Sequence, residues 1–286
     1  MMPIALLLGM PRAATTFLYH HFDSHPDIYV PYRRKTNFFS LHYNRYSPDW
    51  FFDHFSKVES AQVVVDTETI GFVDKTIDVI GNIDKVLDKQ AKFILCVREP
   101  GEWLYSLYSQ VMTFDKKEMT FEDFISGQYV LNEDGLNFPF NYQNGDIKKR
   151  IKSLIEHFGD RILLLDYKEI QDNANNALIK IECFLGVSPH FKNNPVNSEL
   201  INASNRKNIR LLTALMRHPA FIGLASRLPV SLVKKLRKMF DRFSQRSKPI
   251  QSYSRQVDVA MARERYNLDV EYYHQLFSRN DESQQS

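Results

Sequence analysis

Four short apolar runs stand out along the chain: Ile4–Gly9 (IALLLG), Ala61–Asp66 (AQVVVD), Lys92–Val97 (KFILCV) and Arg161–Tyr167 (RILLLDY). Each is nearly continuous rather than alternating, the pattern of a strand covered on both faces, and together they predict buried parallel strands. Between them the apolar spacing turns helical. Thr15–Phe22 follows the first run, Asp74–Gln90 precedes the third, Pro100–Phe114 follows the third, and Ala177–Gly186 follows the fourth. Gly186 is a natural C-cap. Strands alternating with helices predict an α/β fold, one domain with a central parallel sheet flanked by helices. Such sheets bind ligands at the carboxyl ends of their strands. Arg12 comes just after the first run, Asp66 closes the second, and Arg98 follows the third.

Composition changes this picture little. The chain has 286 residues, 43% apolar and 25% charged, with a net charge of +3. That is ordinary for a protein with a real core and too mild to imply nucleic acid. Cys96 and Cys183 sit in apolar segments and read as buried free thiols in a reducing compartment. No apolar run approaches the roughly 20 residues that span a bilayer. The start, MMPIALLLGMPRAA, has the outline of a signal peptide but no positive charge before a very short core. It reads as the first strand, and the expected location is cytoplasmic. Charge is uneven, however. Residues 206–248 hold twelve basic side chains and one acid, Asp241.

The stretch LLLGMPRAATTFLYHH is a strand, a tight loop and a helix start. Outward-facing backbone N–H groups and the helix dipole make that corner an anion site. It departs from the Walker A pattern: Ala14 stands at the second glycine and Thr15 at the lysine. An ATPase or GTPase is thereby disfavoured. The basic group has moved to Arg12, and Thr15 and Thr16 offer hydroxyls to phosphate oxygens. The competing reading is a turn whose threonines only cap the helix.

GMPRAATTFL resembles the 5′-phosphosulfate loop, G-x-P-[KR]-[SA]-G-T-T-x-L, of sulfotransferases that use 3′-phosphoadenosine 5′-phosphosulfate (PAPS). The resemblance implies a P-loop-like sulfotransferase architecture. It implies that Arg12 contacts the sulfo group and bridging oxygen, and that Ala13, Ala14, Thr15, Thr16 and Phe17 wrap the 5′-phosphate. VREPGEWLYSLYSQ resembles the family's 3′-phosphate element, R-[DE]-P-x-x-x-x-x-S-x-Y, which places Arg98 and Ser106 on that phosphate. The competing reading pairs Arg98 with Glu99 or Glu102. RILLLDYKEIQDNANNALIKIECFLGVSPHF resembles a later strand and helix of the family. INASNRKNIRLL resembles its N-x-S-x-x-R segment, which puts Arg206 and Lys207 over PAPS. ARERYNLDVEYYHQLF resembles its terminal helix. The domain is expected to cover residues 1–277, with 206–248 as a basic helical lid and 278–286 as a polar tail.

Sulfuryl transfer needs positioning, charge stabilisation and a base for the acceptor's proton. By the same resemblance, relatives carry K-E-x-x-F-F after a stretch like HPDIYVP, with glutamate as base. This chain reads RRKTNFF, with Arg34 and Lys35 at the first two positions. A lysine is a poor base at neutral pH unless burial lowers its pKa. Asp66 is therefore the first candidate, with an ordinary loop carboxylate as the competing reading. Glu68, His20, His21 and His42 have suitable chemistry too. Arg33, Arg34 and Lys35 form a solvated basic loop or bind an acidic acceptor, and His42 lies on that substrate side. The apolar residues of 206–248 predict a lid packed on the sheet; contact with an anionic membrane or glycan is the less favoured reading. No His/Cys/carboxylate cluster has metal spacing.

The expectation is a PAPS-dependent sulfotransferase acting on a hydroxyl, or an amine, of a glycan or small molecule, with no metal and no nucleic-acid partner. The rivals are a P-loop nucleotide kinase and a catalytically silent nucleotide-binding protein.

Overall fold

The computed structural model describes residues 3–31, 35–56, 58, 61–114, 119–133, 136–196 and 253–282. The apolar runs become β1 (Ile4–Gly9), β3 (Val63–Thr67), β4 (Lys92–Val97) and β7 (Ile162–Asp166). With β2 (Ile28–Tyr29) they form a five-stranded sheet in the order β2-β3-β1-β4-β7, parallel throughout. Both faces are covered, which is why the runs are continuous: β3 is buried along its whole length, and β4 everywhere but Lys92. Lys92 lays its stem along the sheet end and donates its Nζ to the Phe184 carbonyl at 2.6 Å. The signal-like start is the central strand, with Ala5, Leu6 and Leu7 fully buried.

From β1 the chain moves to one side for β2 and β3, then crosses to the other side for β4 and β7. The direction reverses between β1 and β4. At such a switch point the loops leaving two neighbouring strands part and open a crevice.

The helices are α1 (Thr15–Phe22), α2 (Pro48–Asp53), α3 (Val79–Asp84), α4 (Pro100–Phe114), α5 (Phe121–Asp123), α6 (Asp146–Phe158), α7 (Tyr167–Asp172) and α8 (Ala174–Leu185). Gly186 ends α8 in the left-handed region, at φ 76° and ψ 30°, as its sequence predicts. The helical pattern over Asp74–Gln90 yields only the six-residue α3. Aspartates cut it short. Asp74 accepts from the amide and hydroxyl of Thr76, Asp78 caps α3 through Gly81 N–H, and Asp88 accepts from Gln90 N–H. The pattern also gave no sign of an antiparallel hairpin, β5 (Val130–Glu133) with β6 (Leu136–Pro139). Of the two thiols, Cys96 is buried in β4, but Cys183 is exposed, because α8 turns Leu178, Ile181 and Leu185 inward instead.

The expected terminal helix is two helices, α9 (Tyr253–Arg265) and α10 (Asn267–Glu282), the second running into the segment read as a tail. Tyr266, at the break, is fully buried, and its hydroxyl lies 3.0 Å from the Ile125 carbonyl and 2.9 Å from that of Tyr142. Buried Asp269 accepts the backbone N–H groups of Gly145 and Lys148 at the start of α6. These bonds hold the helix pair against the segment from α4 to α6. Among the described residues no helix is long and apolar enough to cross a membrane. The basic segment 206–248 lies outside the described residues.

Candidate active site

The loop at the β1/β4 switch point is tightly built. Gly9 has φ 120°, and a Cβ there would approach the Phe72 ring to 3.2 Å, so the strand must end in glycine. Met10 N–H crosses to the Cys96 carbonyl of β4 at 2.8 Å, and Ala13 N–H closes a turn onto Met10 at 3.1 Å. Arg12 (φ 68°) and Ala14 (φ 59°) both adopt left-handed backbone. Left-handed residues in a turn swing neighbouring amides into one concavity, which is how protein loops cradle anions. The loop runs straight into the N-terminus of α1. Ala14 is the N-cap and brings no capping side chain, and the first turn holds no acid. The positive end of the dipole is therefore not answered by a side-chain cap, and Thr15 and Thr16 occupy the first turn rather than the cap.

The second predicted motif arrives at the same place. Arg98 follows β4, Pro100 opens α4, and buried Ser106 lies on that helix. Arg12 Nε–H donates to Ser106 Oγ at 3.3 Å, and Arg98 Nη1–H donates to the Arg12 carbonyl at 3.1 Å. Two motifs, joined by contacts that span 94 and 86 residues of sequence, thus meet directly. The indole N–H of buried Trp103 donates to the Pro11 carbonyl at 2.8 Å, a further tie of α4 to the loop. Sequence reading missed it, although a tryptophan on an apolar helix face implies a partner for its N–H. The Arg98 guanidinium also lies 4.6 Å from the centre of the Tyr167 ring and pairs with Glu102 Oε2 at 3.3 Å. The ion pair with Glu102, one of the two expected under the competing reading, is therefore present, alongside the bond from Arg98 to the Arg12 carbonyl. Glu99 does not pair with Arg98. It accepts the backbone N–H groups of Gly101 and Glu102, and Arg263.

The carboxyl end of β3 carries two buried acids. Asp66 accepts Thr36 N–H at 3.1 Å and the Thr36 hydroxyl. Glu68 accepts Phe39 N–H at 2.9 Å and the Ser40 hydroxyl. The side-chain carbonyl of Asn37, itself at φ 48°, accepts Thr69 N–H at 3.0 Å. The segment in which Lys35 stands at the family's glutamate position is thus laced onto the strand end, with Lys35 partly buried beside Thr36. Asp66 is therefore a loop-organising carboxylate, whatever else it does. Burial pushes its pKa up to about 7 against the lowering effect of the Thr36 bonds. Burial, with help from the Asp66 charge, pushes Glu68 up to about 8. Glu68 N–H donates to the Leu7 carbonyl at 2.8 Å, two residues before Gly9, so this acid stands next to the loop.

The remaining candidates are more dispersed. Phe17 is buried in α1 with its ring against His21, and Ala13 is buried in the loop. His20 lies five residues along α1 from Thr15, roughly 7 Å up the axis by helix geometry, its ring edge-on to Tyr19. Buried His42 packs against Tyr46 and Trp50 at 5.3 and 5.0 Å. Arg33, Arg34, Arg206 and Lys207 lie outside the described residues. Among the described residues no group of three His, Cys, Asp or Glu could hold a metal ion.

A family model described as a sulfotransferase domain matches residues 3–212. Among solved structures, a sulfotransferase from Alicyclobacillus acidocaldarius is 17% identical, covers 82% of this chain and 96% of its own, and superposes with a TM-score of 0.53, a likeness of fold. The sulfotransferase domain of the Synechococcus PCC 7002 olefin synthase is 16% identical over 92% of this chain and 93% of its own, with a TM-score of 0.49. A mouse sulfotransferase complexed with PAP is 15% identical over 67% of this chain and 61% of its own, with a TM-score of 0.45. No curated protein matches the sequence.

Proposed function

This chain belongs to the sulfotransferase domain family, and from that premise we propose that it moves a sulfo group from PAPS to a hydroxyl or amine of a glycan or small-molecule acceptor. The observation that carries the reading is the interlock at the β1/β4 crevice, where Arg12 reaches Ser106 and Arg98 reaches back to Arg12. One strand tip offers a dipole-backed concavity for the 5′ end of a nucleotide. The next offers an arginine fork and a serine hydroxyl for its 3′ end. A kinase reading lacks this support, because Thr15 stands where the Walker lysine belongs.

In the reaction the acceptor heteroatom attacks sulfur in line. The new bond to sulfur forms as the bond from sulfur to the bridging phosphate oxygen breaks. Adenosine 3′,5′-bisphosphate (PAP) leaves, and the acceptor's proton passes to a base. Arg12 meets the charge that grows on the leaving oxygen. Asp66 is assigned as the base: its raised pKa, about 7, suits proton uptake at neutral pH. Glu68, held beside Gly9 through its amide, is the second reading.

Incubation with labelled PAPS and a mixed acceptor panel tests the proposal. Arg12→Ala is expected to lower transfer on the order of a hundredfold or more. Asp66→Asn is expected to abolish the rise of rate through about pH 7. If Asp66→Asn keeps the wild-type rate while Glu68→Gln loses it, the proton goes to Glu68. Binding of PAPS with no transfer by the wild type to any acceptor would support the silent nucleotide-binding reading.

A further inference from the structure

Arg98 has two acids close by in sequence, Glu99 and Glu102, and either could quench it. Both are claimed by a helix that lies beyond the matched residues 3–212. Arg263 of α9 donates to Glu99 Oε1 and Oε2, each at 3.3 Å. Arg255, two turns earlier and on the same face of α9, donates to Glu102 Oε2 at 2.6 Å. Its guanidinium lies 5.9 Å from the centre of the Tyr105 ring.

Glu102 Oε2 is thus shared between two arginines. It sits at 2.6 Å from Arg255 and at 3.3 Å from Arg98. Charge-assisted hydrogen bonds are strongest at the shorter distance, so Arg255 is the main partner. Arg98 is left with a long contact, and its Nε is buried with no partner among the described residues. Arg98 and Glu102 alone would be a neutral pair, which attracts a phosphate dianion poorly. With Arg255 the cluster is net positive. A guanidinium that holds the carboxylate loosens its grip on Arg98, whose Nη1 also donates to the Arg12 carbonyl at 3.1 Å, and leaves the remaining guanidinium N–H groups for another anion.

We propose that Arg255 is a positioning residue for the nucleotide's 3′-phosphate: it draws Glu102 off Arg98 and keeps the subsite positive, so that Arg98 and Ser106 serve the phosphate. This rests on the PAPS reading above. It adds a specificity element supplied by the C-terminal helix pair rather than by the matched domain.

The test is equilibrium titration of the full chain with PAP and, separately, with adenosine 5′-monophosphate. Arg255→Ala is expected to weaken PAP binding about tenfold, as Glu102 swings fully onto Arg98, and to leave the monophosphate unchanged. Adding Glu102→Gln to Arg255→Ala is expected to restore PAP affinity, because no carboxylate remains to neutralise Arg98. A purely structural role for Arg255 gives no such rescue. Unchanged PAP affinity in Arg255→Ala, equal weakening of both ligands, or absence of rescue each overturns the proposal. Should Arg255→Ala fail to fold, Glu102→Gln alone decides: tighter PAP binding supports the proposal and unchanged binding sinks it. If the wild type binds the monophosphate but shows no gain from the 3′-phosphate, this inference fails while a 5′-nucleotide site stands. If it binds neither ligand, the PAPS reading itself fails.

Discussion

Ala14 holds a backbone conformation that L-residues avoid, because Cβ crowds the following carbonyl at φ 59°. Glycine carries no such cost, although it is freer in the unfolded chain. Ala14→Gly is therefore expected to stabilise the protein by about 0.5–1 kcal/mol, read from urea unfolding midpoints. A lower midpoint would mean that the methyl packs usefully in the loop. Asp66 and Glu68 tell a different story. Their folded pKa values, about 7 and about 8, lie above their ordinary values of 3.8 and 4.5. The folded state therefore binds more protons than the unfolded one across that interval. The stability this contributes is full below about pH 4 and is lost as pH rises through 7 to 8. Wild type is expected to melt lower at pH 9 than at pH 6, and Asp66→Asn to flatten that decline. Melting curves across pH check both, and an unchanged slope in the variant counts against a protonated buried Asp66. Deprotonation of these two carboxylates thus loosens the loop that they hold through Thr36, Phe39 and Ser40.

Among elements, α4 carries most of the site's positioning. Pro100 starts it, Ser106 meets Arg12, Glu102 meets Arg98, and Trp103 ties the loop after β1 to the helix through Pro11. Trp103→Phe keeps an aromatic ring and removes the N–H, leaving the Pro11 carbonyl short of a donor. The expected cost is about 1–3 kcal/mol of stability. PAP affinity is expected to fall with it, since the loop loses its tie to α4; calorimetric titration beside thermal melts separates the two effects. The C-terminal pair α9–α10 is fixed in a similar way. Tyr266→Phe strips the donor from the Ile125 and Tyr142 carbonyls and is expected to cost about 1–2 kcal/mol. A variant as stable as wild type would show that solvent replaces the hydroxyl and that the clamp rests on packing alone.

At the scale of the molecule, a nucleotide held as proposed, between the tips of β1 and β4, should tighten the whole fold. PAP at a hundred times its Kd is expected to add about 2.7 kcal/mol, or roughly 4–5 °C in Tm for a chain of this size. No shift under saturating PAP would contradict the nucleotide site.

Much of this was legible in the chain. Continuous apolar runs fixed β1, β3, β4 and β7 because a strand buried on both faces leaves no polar positions. The order Gly9–Thr15 then Arg98–Ser106 marked two segments, at the ends of β1 and β4, that the fold brings into contact. Legibility stopped where partners come from afar. The two residues of β2 carry too little pattern to register, and α3 was cut short by aspartates whose caps are visible only once the turns form. RRKTNFF suggested a segment missing its base. The fold instead brings Asp66 and Glu68 beneath that segment, and no spacing in either stretch announces the other. Local sequence determined the long strands, the helices that follow β1, β4 and β7, and the strand-loop-helix corner after β1, because those depend on neighbours within a few residues. Tertiary structure alone decided that Arg12 meets Ser106, that two carboxylates lose their solvent beneath Thr36–Ser40, and that Arg255 takes hold of Glu102. Each of those is an electrostatic interaction between distant segments, and its strength depends on a separation and a burial that only the folded chain sets.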